Sequence, residues 1–177
     1  RMERRGILIR KMHIVESLGA VQTICLDKTG TLTENAMTVA AAVAGTETAE
    51  PSDRDTLAPL AEVAALNSDA RLEDGRAAGS SSTETALLDF AVSLGVEVEA
   101  LRAARPRLEA IERTPAHPWM ATRHGGDGAE WLVKGAPETL LAASTHVLDA
   151  GATRPLTADD ARRIEALNER LATRPSR

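Results

Sequence analysis

The sequence has no tyrosine, one phenylalanine and two tryptophans, so aromatics make up only 2% of its 177 residues. A core must then be filled by Leu, Val, Ile and alanine, the residue types left to bury. Cys25 is the single cysteine, which excludes an internal disulfide and a zinc site built from cysteines. Long apolar runs are missing as well: none approaches the roughly 18 residues that a spanning helix needs. The basic start RMERRGILIRK has too short an apolar part for a signal peptide. Positive charge is in deficit, with a formal net charge of −5, so a nucleic-acid partner would find no electrostatic footprint.

What is present has the balance of a folded chain rather than a disordered one, at 43% hydrophobic and 27% charged residues. The length suits one good core, or one domain with a piece of another. Residues 1–19 have a helical look. AVQTICLD, at 20–27, is dense in Val, Ile, Leu and Cys and predicts a buried, parallel-type strand. KTGTLTEN is a turn-rich loop and MTVAAAVAG a second strand. GTETAEPSDRD is a polar, proline-containing connection.

In TLAPLAEVAALNSDARL, Leu57, Leu60, Val63, Ala64 and Leu66 mark one buried face of a helix. EDGRAAGSSS is expected to be a flexible loop. ETALLDFAVSLG is a second helix, with Gly95 as its stop. RLEAIER, WMATRH and AEWLVKG are short strands, the last two joined through GGDG. Pro137 can open a helix in APETLLAAS, HVLDAGATRPL turns at Gly151, and Thr157 with Asp160 makes a capping box for a last helix. The fold class is α/β (α+β): the first strand and loop of one α/β unit, then an antiparallel sheet flanked by helices. Strand order does not follow from this pattern.

Chemistry concentrates in TICLDKTGTLTEN. A carboxylate at the carboxyl end of a parallel strand stands where open α/β sheets bind ligands. The small, hydroxylated, glycine-containing loop after it can wrap a phosphate with backbone N–H groups, and Lys28 adds positive charge. An ionised Asp27 can attack a γ-phosphoryl group and hold it as an acyl phosphate. Charge accumulating on both partners calls for a bridging divalent cation, and Mg²⁺ suits oxygen ligands.

The string DKTGTLT resembles the phosphorylation motif of the P-type ATPases, membrane pumps that form an aspartyl phosphate in each cycle. The resemblance extends along nearly the whole chain. GILIRKMHIVESLGAVQTIC is similar to the stretch joining membrane stalk to phosphorylation domain, and NSDARL, SSSTETALLDFA and KGAPE are similar to segments of the nucleotide-binding domain. It implies that Asp27 is phosphorylated and, with the Thr29 backbone carbonyl, holds Mg²⁺, while Lys28 and Thr31 line the phosphate site. Glu84 would contact the adenosine of ATP, and Lys134, with Gly135 beside it, would lie in the adenine pocket. Arg177 falls where the family has an arginine near the phosphates. Implied domains are a connecting segment at 1–19, the start of the phosphorylation domain at 20–38 and the nucleotide-binding domain at 39–177.

Anchoring on Met120-Ala121-Thr122 puts Arg113 where pumps of the calcium kind carry a phenylalanine that stacks on adenine. A guanidinium can stack on a flat ring too. Trp119 is read as a structural wall. The implied partners are ATP, a transported cation held by membrane helices outside these residues, and the remaining phosphorylation and actuator domains. The parent would lie in the cell membrane with this part on its cytoplasmic side, and the chain alone would bind nucleotide weakly without turning it over.

Two other readings stay open. A phosphatase or phosphotransferase of the haloacid-dehalogenase type has a similar nucleophile, but usually with a second Asp where Thr29 stands. A binding or regulatory module would keep the motif only as a relic.

Overall fold

The computed structural model describes residues 20–27, 31, 36–45, 47–49, 53–79, 81–126, 128–149 and 151–173. The chain divides into two units, Arg1–Asn35 and Ala36–Arg177. The helix expected within 1–19, the loop residues Lys28 and Thr29, and Arg177 lie outside the described residues.

In the first unit, residues 20–27 form no strand, contrary to the sequence pattern. Val21, Ile24 and Leu26 are 50%, 75% and 57% exposed. A parallel-type strand is stable only when neighbours pair along its edges and layers cover its faces. Among the described residues none pairs with this stretch.

The second unit is mixed α/β, with small antiparallel sheets flanked by helices, as the sequence pattern requires. Helix α1, Arg54–Leu66, starts at Asp53, whose carboxylate accepts from the Thr56 N–H at 3.2 Å. Helix α2, Ser82–Ser93, is capped by Ser81. These two helices pack through alanines. Leu57, Ala61, Ala65, Leu88 and Ala91 are wholly buried, and Val98, at the start of the short helix α3, Val98–Ala104, closes the cluster. Small side chains on both helices allow the close approach that compensates for the lack of aromatics. The sequence pattern gave no separate helix at 98–104.

Strand β1, Ala42–Ala44, lies within the expected second strand and pairs with β2, Glu47–Ala49, which falls in the stretch expected to be a plain connection. β3, Arg71–Glu73, and β4, Arg76–Ala78, form a second hairpin where a flexible loop was expected. Its two-residue turn has Asp74 at φ 51° and Gly75 at φ 77°, the left-handed pair that matches strand twist. The Asp-Gly dipeptide was the available signal.

The three-stranded sheet is β5, Arg107–Ile111; β6, Trp119–His124; and β7, Glu130–Gly135, in that order and all antiparallel. Alternation sends Met120, Thr122 and His124 of β6, with Leu132 and Lys134 of β7, to one face. Met120, Thr122, His124 and Leu132 are buried there. Helix α4, Pro137–Ala143, follows β7 directly. β8, His146–Asp149, and β9, Ala152–Pro155, form the hairpin expected around Gly151. Helix α5, Ala158–Ala172, has the expected capping box at Thr157 and Asp160. Arg154 of β9 bonds Asp160 as well, and this contact first, then Thr157, holds the Asp160 carboxyl well below the usual range.

Candidate functional site

Lys134 is the penultimate residue of β7, on the same face as buried Leu132. Glu84 is the third residue of α2. At that position a Glu can close a capping box by reaching back to its own helix start. Glu84 does otherwise. One carboxylate oxygen pairs with the Lys134 ammonium, and the other accepts the Asp69 N–H at 2.8 Å. The two side chains, 50 residues apart in sequence, are only 23% and 16% exposed. Sequence reasoning singled out each separately; the fold brings them into direct contact.

The segment that receives them is the exit of α1. Lys134 also donates to the Asn67 carbonyl at 2.5 Å. The Asn67 side chain is fully buried and donates through Nδ2 to the carbonyls of Leu132 (2.8 Å) and Met120 (3.2 Å), which ties this segment to β7 and β6. Its Oδ1 is buried without a hydrogen-bond partner among the described residues, and such an acceptor is costly unless a donor arrives. The Lys134 ammonium and the Glu84 carboxylate, both partly exposed beside this segment, can meet a ligand that carries both donors and acceptors.

Gly135 follows Lys134 and stands opposite Trp119 in the ladder. A Cβ built at 135 would lie 2.5 Å from the Trp119 Cβ and 2.7 Å from both the Pro118 carbonyl oxygen and the Trp119 Cα. Glycine is therefore dictated by the closeness of the two backbones. Trp119 itself is half-buried, with its ring edge-on to His117 at 5.7 Å between centroids. Arg113 lies exposed in the connection between β5 and β6. Among the described residues no hydrogen bond or ion pair ties it to Glu84 or Lys134. Asp27 is exposed and belongs to the other unit.

A concavity of about 240 Å³ borders the same α1 exit and is lined largely by arginines, with His124. Three of its four arginines are already committed. Arg105 pairs with Glu62 and Glu130, while Arg102 and Arg107 bond backbone carbonyls. Burial lowers the Arg102 guanidinium from its usual value, and burial likewise lowers His124. His124 Nδ1 faces the Arg105 carbonyl at 3.0 Å, so it carries the proton. Nε2 then accepts from the Thr122 hydroxyl at 2.9 Å. NSDARL marked the segment of Asn67 and Asp69 by resemblance, but no feature of the sequence pattern singled out Arg102 or Arg107, because their contacts span 30 or more residues to a loop.

Among the described residues no three His, Cys, Asp or Glu side chains gather as a metal site. Asp27 offers hard oxygen donors of the kind Mg²⁺ takes, and Thr29, its expected partner in holding the ion, lies outside the described residues.

A family profile described as "P-type ATPase, cytoplasmic domain N" matches residues 56–177. A cation-transporting ATPase, pma1, of Synechocystis is 37% identical over 169 residues, covering 80% of this chain and 19% of that protein. Calcium-transporting ATPase 1 of Lactococcus lactis is 28% identical over 182 residues, covering all of this chain and 21% of that protein. The sodium/potassium-transporting ATPase subunit alpha of Tetronarce californica is 30% identical, covering 88% of this chain and 18% of that protein. The chain thus spans about a fifth of the length of the curated relatives it matches. With the matched region holding the α1 exit, Glu84 and Lys134, the chain belongs to the P-type ATPases and carries their cytoplasmic domain N.

Proposed function

We infer that this chain is the ATP-binding part of a cation-transporting pump, and that its second unit presents ATP to Asp27. The observation that carries the reading is the convergence of Glu84 and Lys134 on the α1 exit. In the proposal the Glu84 carboxylate accepts from the amino group of the adenosine base. The Lys134 ammonium donates to a ring acceptor, and the flat ring lies beside Gly135. Arg113 and Arg177 belong to the nucleotide site by resemblance alone.

One oxygen of the Asp27 carboxylate then attacks the γ-phosphorus. The bond to the β–γ bridging oxygen breaks, ADP leaves with that electron pair, and an acyl phosphate remains. Lys28 and Thr29 belong to the proposed phosphate loop. Mg²⁺, when bound, supplies charge neutralisation there, with Asp27 and Thr29 as its proposed holders.

The domain assignment follows the same reading: a connecting segment at 1–19, the start of the phosphorylation domain at 20–38, and the nucleotide-binding domain at 39–177. The parent lies in the membrane with this part on the cytoplasmic side. Relatives named for calcium, for sodium/potassium and for unspecified cations all match this region, so it carries no choice of ion.

The test is titration of the 177-residue chain with a fluorescent ATP analogue. Lys134→Ala and Glu84→Gln should each weaken binding at least about tenfold, the loss expected for a hydrogen bond to a charged group. Wild-type affinity in both variants would sink the nucleotide reading. In the full-length parent, Asp27→Asn should abolish ATP-driven activity; full activity would remove Asp27 from the mechanism. The chain alone should bind nucleotide weakly and form no acyl phosphate from ATP.

A further inference from the structure

The α1 exit, residues 65–70, is where the Lys134 ammonium and the Glu84 carboxylate both find backbone partners, yet it has no regular secondary structure beyond Leu66 until β3 begins. A helix end leaves its last carbonyls without intrahelical donors. Here two guanidiniums supply them. Arg102 of α3 donates to the Ala65 carbonyl through Nε (3.1 Å) and a terminal nitrogen (2.8 Å). It also reaches the Ser68 carbonyl at 3.2 Å and the Ala70 carbonyl at 3.0 Å. Arg107, at the start of β5, donates to Ser68 at 2.8 Å and Leu66 at 3.3 Å, and pairs with Asp69 at 2.5 Å. The Ser68 carbonyl accepts from both arginines.

We propose that Arg102, seconded by Arg107, is a positioning residue of the nucleotide site: it fixes the 65–70 segment whose Asn67 carbonyl and Asp69 N–H hold Lys134 and Glu84. This inference rests on the nucleotide reading above and extends it to residues that do not touch the proposed ligand. The geometry sets the chemistry required. A planar fork with donors in fixed directions spans the carbonyls of 65, 68 and 70 at once. The compact ammonium of a lysine keeps the charge but not the span. Without Arg102 the carbonyls of Ala65 and Ala70 lose their side-chain donor, and the segment is left to Arg107 and to the Asn67 amide bonds to Met120 and Leu132. The Asp69 N–H would then leave the Glu84 carboxylate, and the ammonium–carboxylate pair would lose its fixed direction.

The experiment uses the 177-residue chain, a fluorescent ATP analogue, and the amide proton shift of Asp69, which a carboxylate acceptor moves downfield. Titrations are run well below the melting midpoint, so that a residue important only for stability leaves the dissociation constant unchanged. Arg102→Lys should raise that constant about tenfold and move the Asp69 amide upfield, towards its position in Glu84→Gln. Wild-type affinity in Arg102→Lys, or weakened binding with an unmoved Asp69 amide, would overturn the positioning role. Should Arg102→Lys fail to fold, Arg107→Lys is judged by the same two readouts, with a smaller expected change and the same overturning results. Lys134→Ala binding like the wild type would mark a different failure, that of the nucleotide reading itself, and would take this inference with it.

Discussion

Replacing Gly135 by alanine tests the site through its backbone. Cross-strand Cβ atoms in antiparallel pairs ordinarily stand about 4.5–5.5 Å apart. At the Gly135–Trp119 pair the added Cβ would meet the Trp119 Cβ at 2.5 Å, with the Pro118 oxygen and the Trp119 Cα at 2.7 Å. All three belong to backbone or to an atom fixed on it, so no rotamer change relieves the clash. The ends of β6 and β7 must separate by an ångström or more, and Lys134 moves with them.

Overpacking of this kind costs about 1–3 kcal/mol, which for a unit of this size lowers the melting midpoint by roughly 3–10 °C. Gly128→Ala is the control. A Cβ there meets nothing within 4 Å, so its effect should stay within about 0.5 kcal/mol. The assay is thermal unfolding by circular dichroism beside nucleotide titration, and Gly135→Ala should weaken binding as well as stability. Equal midpoints for the two variants, with unchanged affinity, would refute the close-approach argument.

Two further outcomes follow from burial. His124 is 1% exposed, and desolvation depresses its pKa below the ordinary 6.5. The unfolded chain therefore binds more protons in the interval between the two values. The stability that neutral His124 contributes is complete above about pH 6.5 and falls as the pH drops below it, with a slope approaching about 1.4 kcal/mol per pH unit. The difference in melting midpoint between wild type and His124→Gln should change between about pH 5 and 8, and a constant difference would contradict this. Leu88→Ala removes a wholly buried side chain between the helices and should cost about 2–5 kcal/mol by urea unfolding; a loss under about 1 kcal/mol would mean the alanine-rich core collapses onto the gap.

Local signals fixed most of the second unit before any tertiary contact entered. Alternation in WMATRH and EWLVKG, the proline at 137, and the Thr157–Asp160 capping box each specify an element whose forces act within a few residues, and each element is present. The same locality misled elsewhere, and two places show why. Polar, small residues around Asp74-Gly75 suggested a loose loop, although that dipeptide builds the tight turn of the β3–β4 hairpin. AVQTICLD has the composition of a buried strand, yet a strand also needs partners along its edges, which composition cannot supply.

By itself the sequence determined the family, through motifs such as DKTGTLT and KGAPE, and picked out Glu84 and Lys134 as residues of interest. Only the tertiary structure decided that those two side chains meet, that Gly135 is required by the Trp119 backbone, and that Arg102 and Arg107 brace the segment between them. The reason is physical: ion pairs, close backbone approach and guanidinium–carbonyl bonds depend on where the folded chain returns to itself. Spacing along the sequence records that return only where a repeating pattern or a known motif marks it.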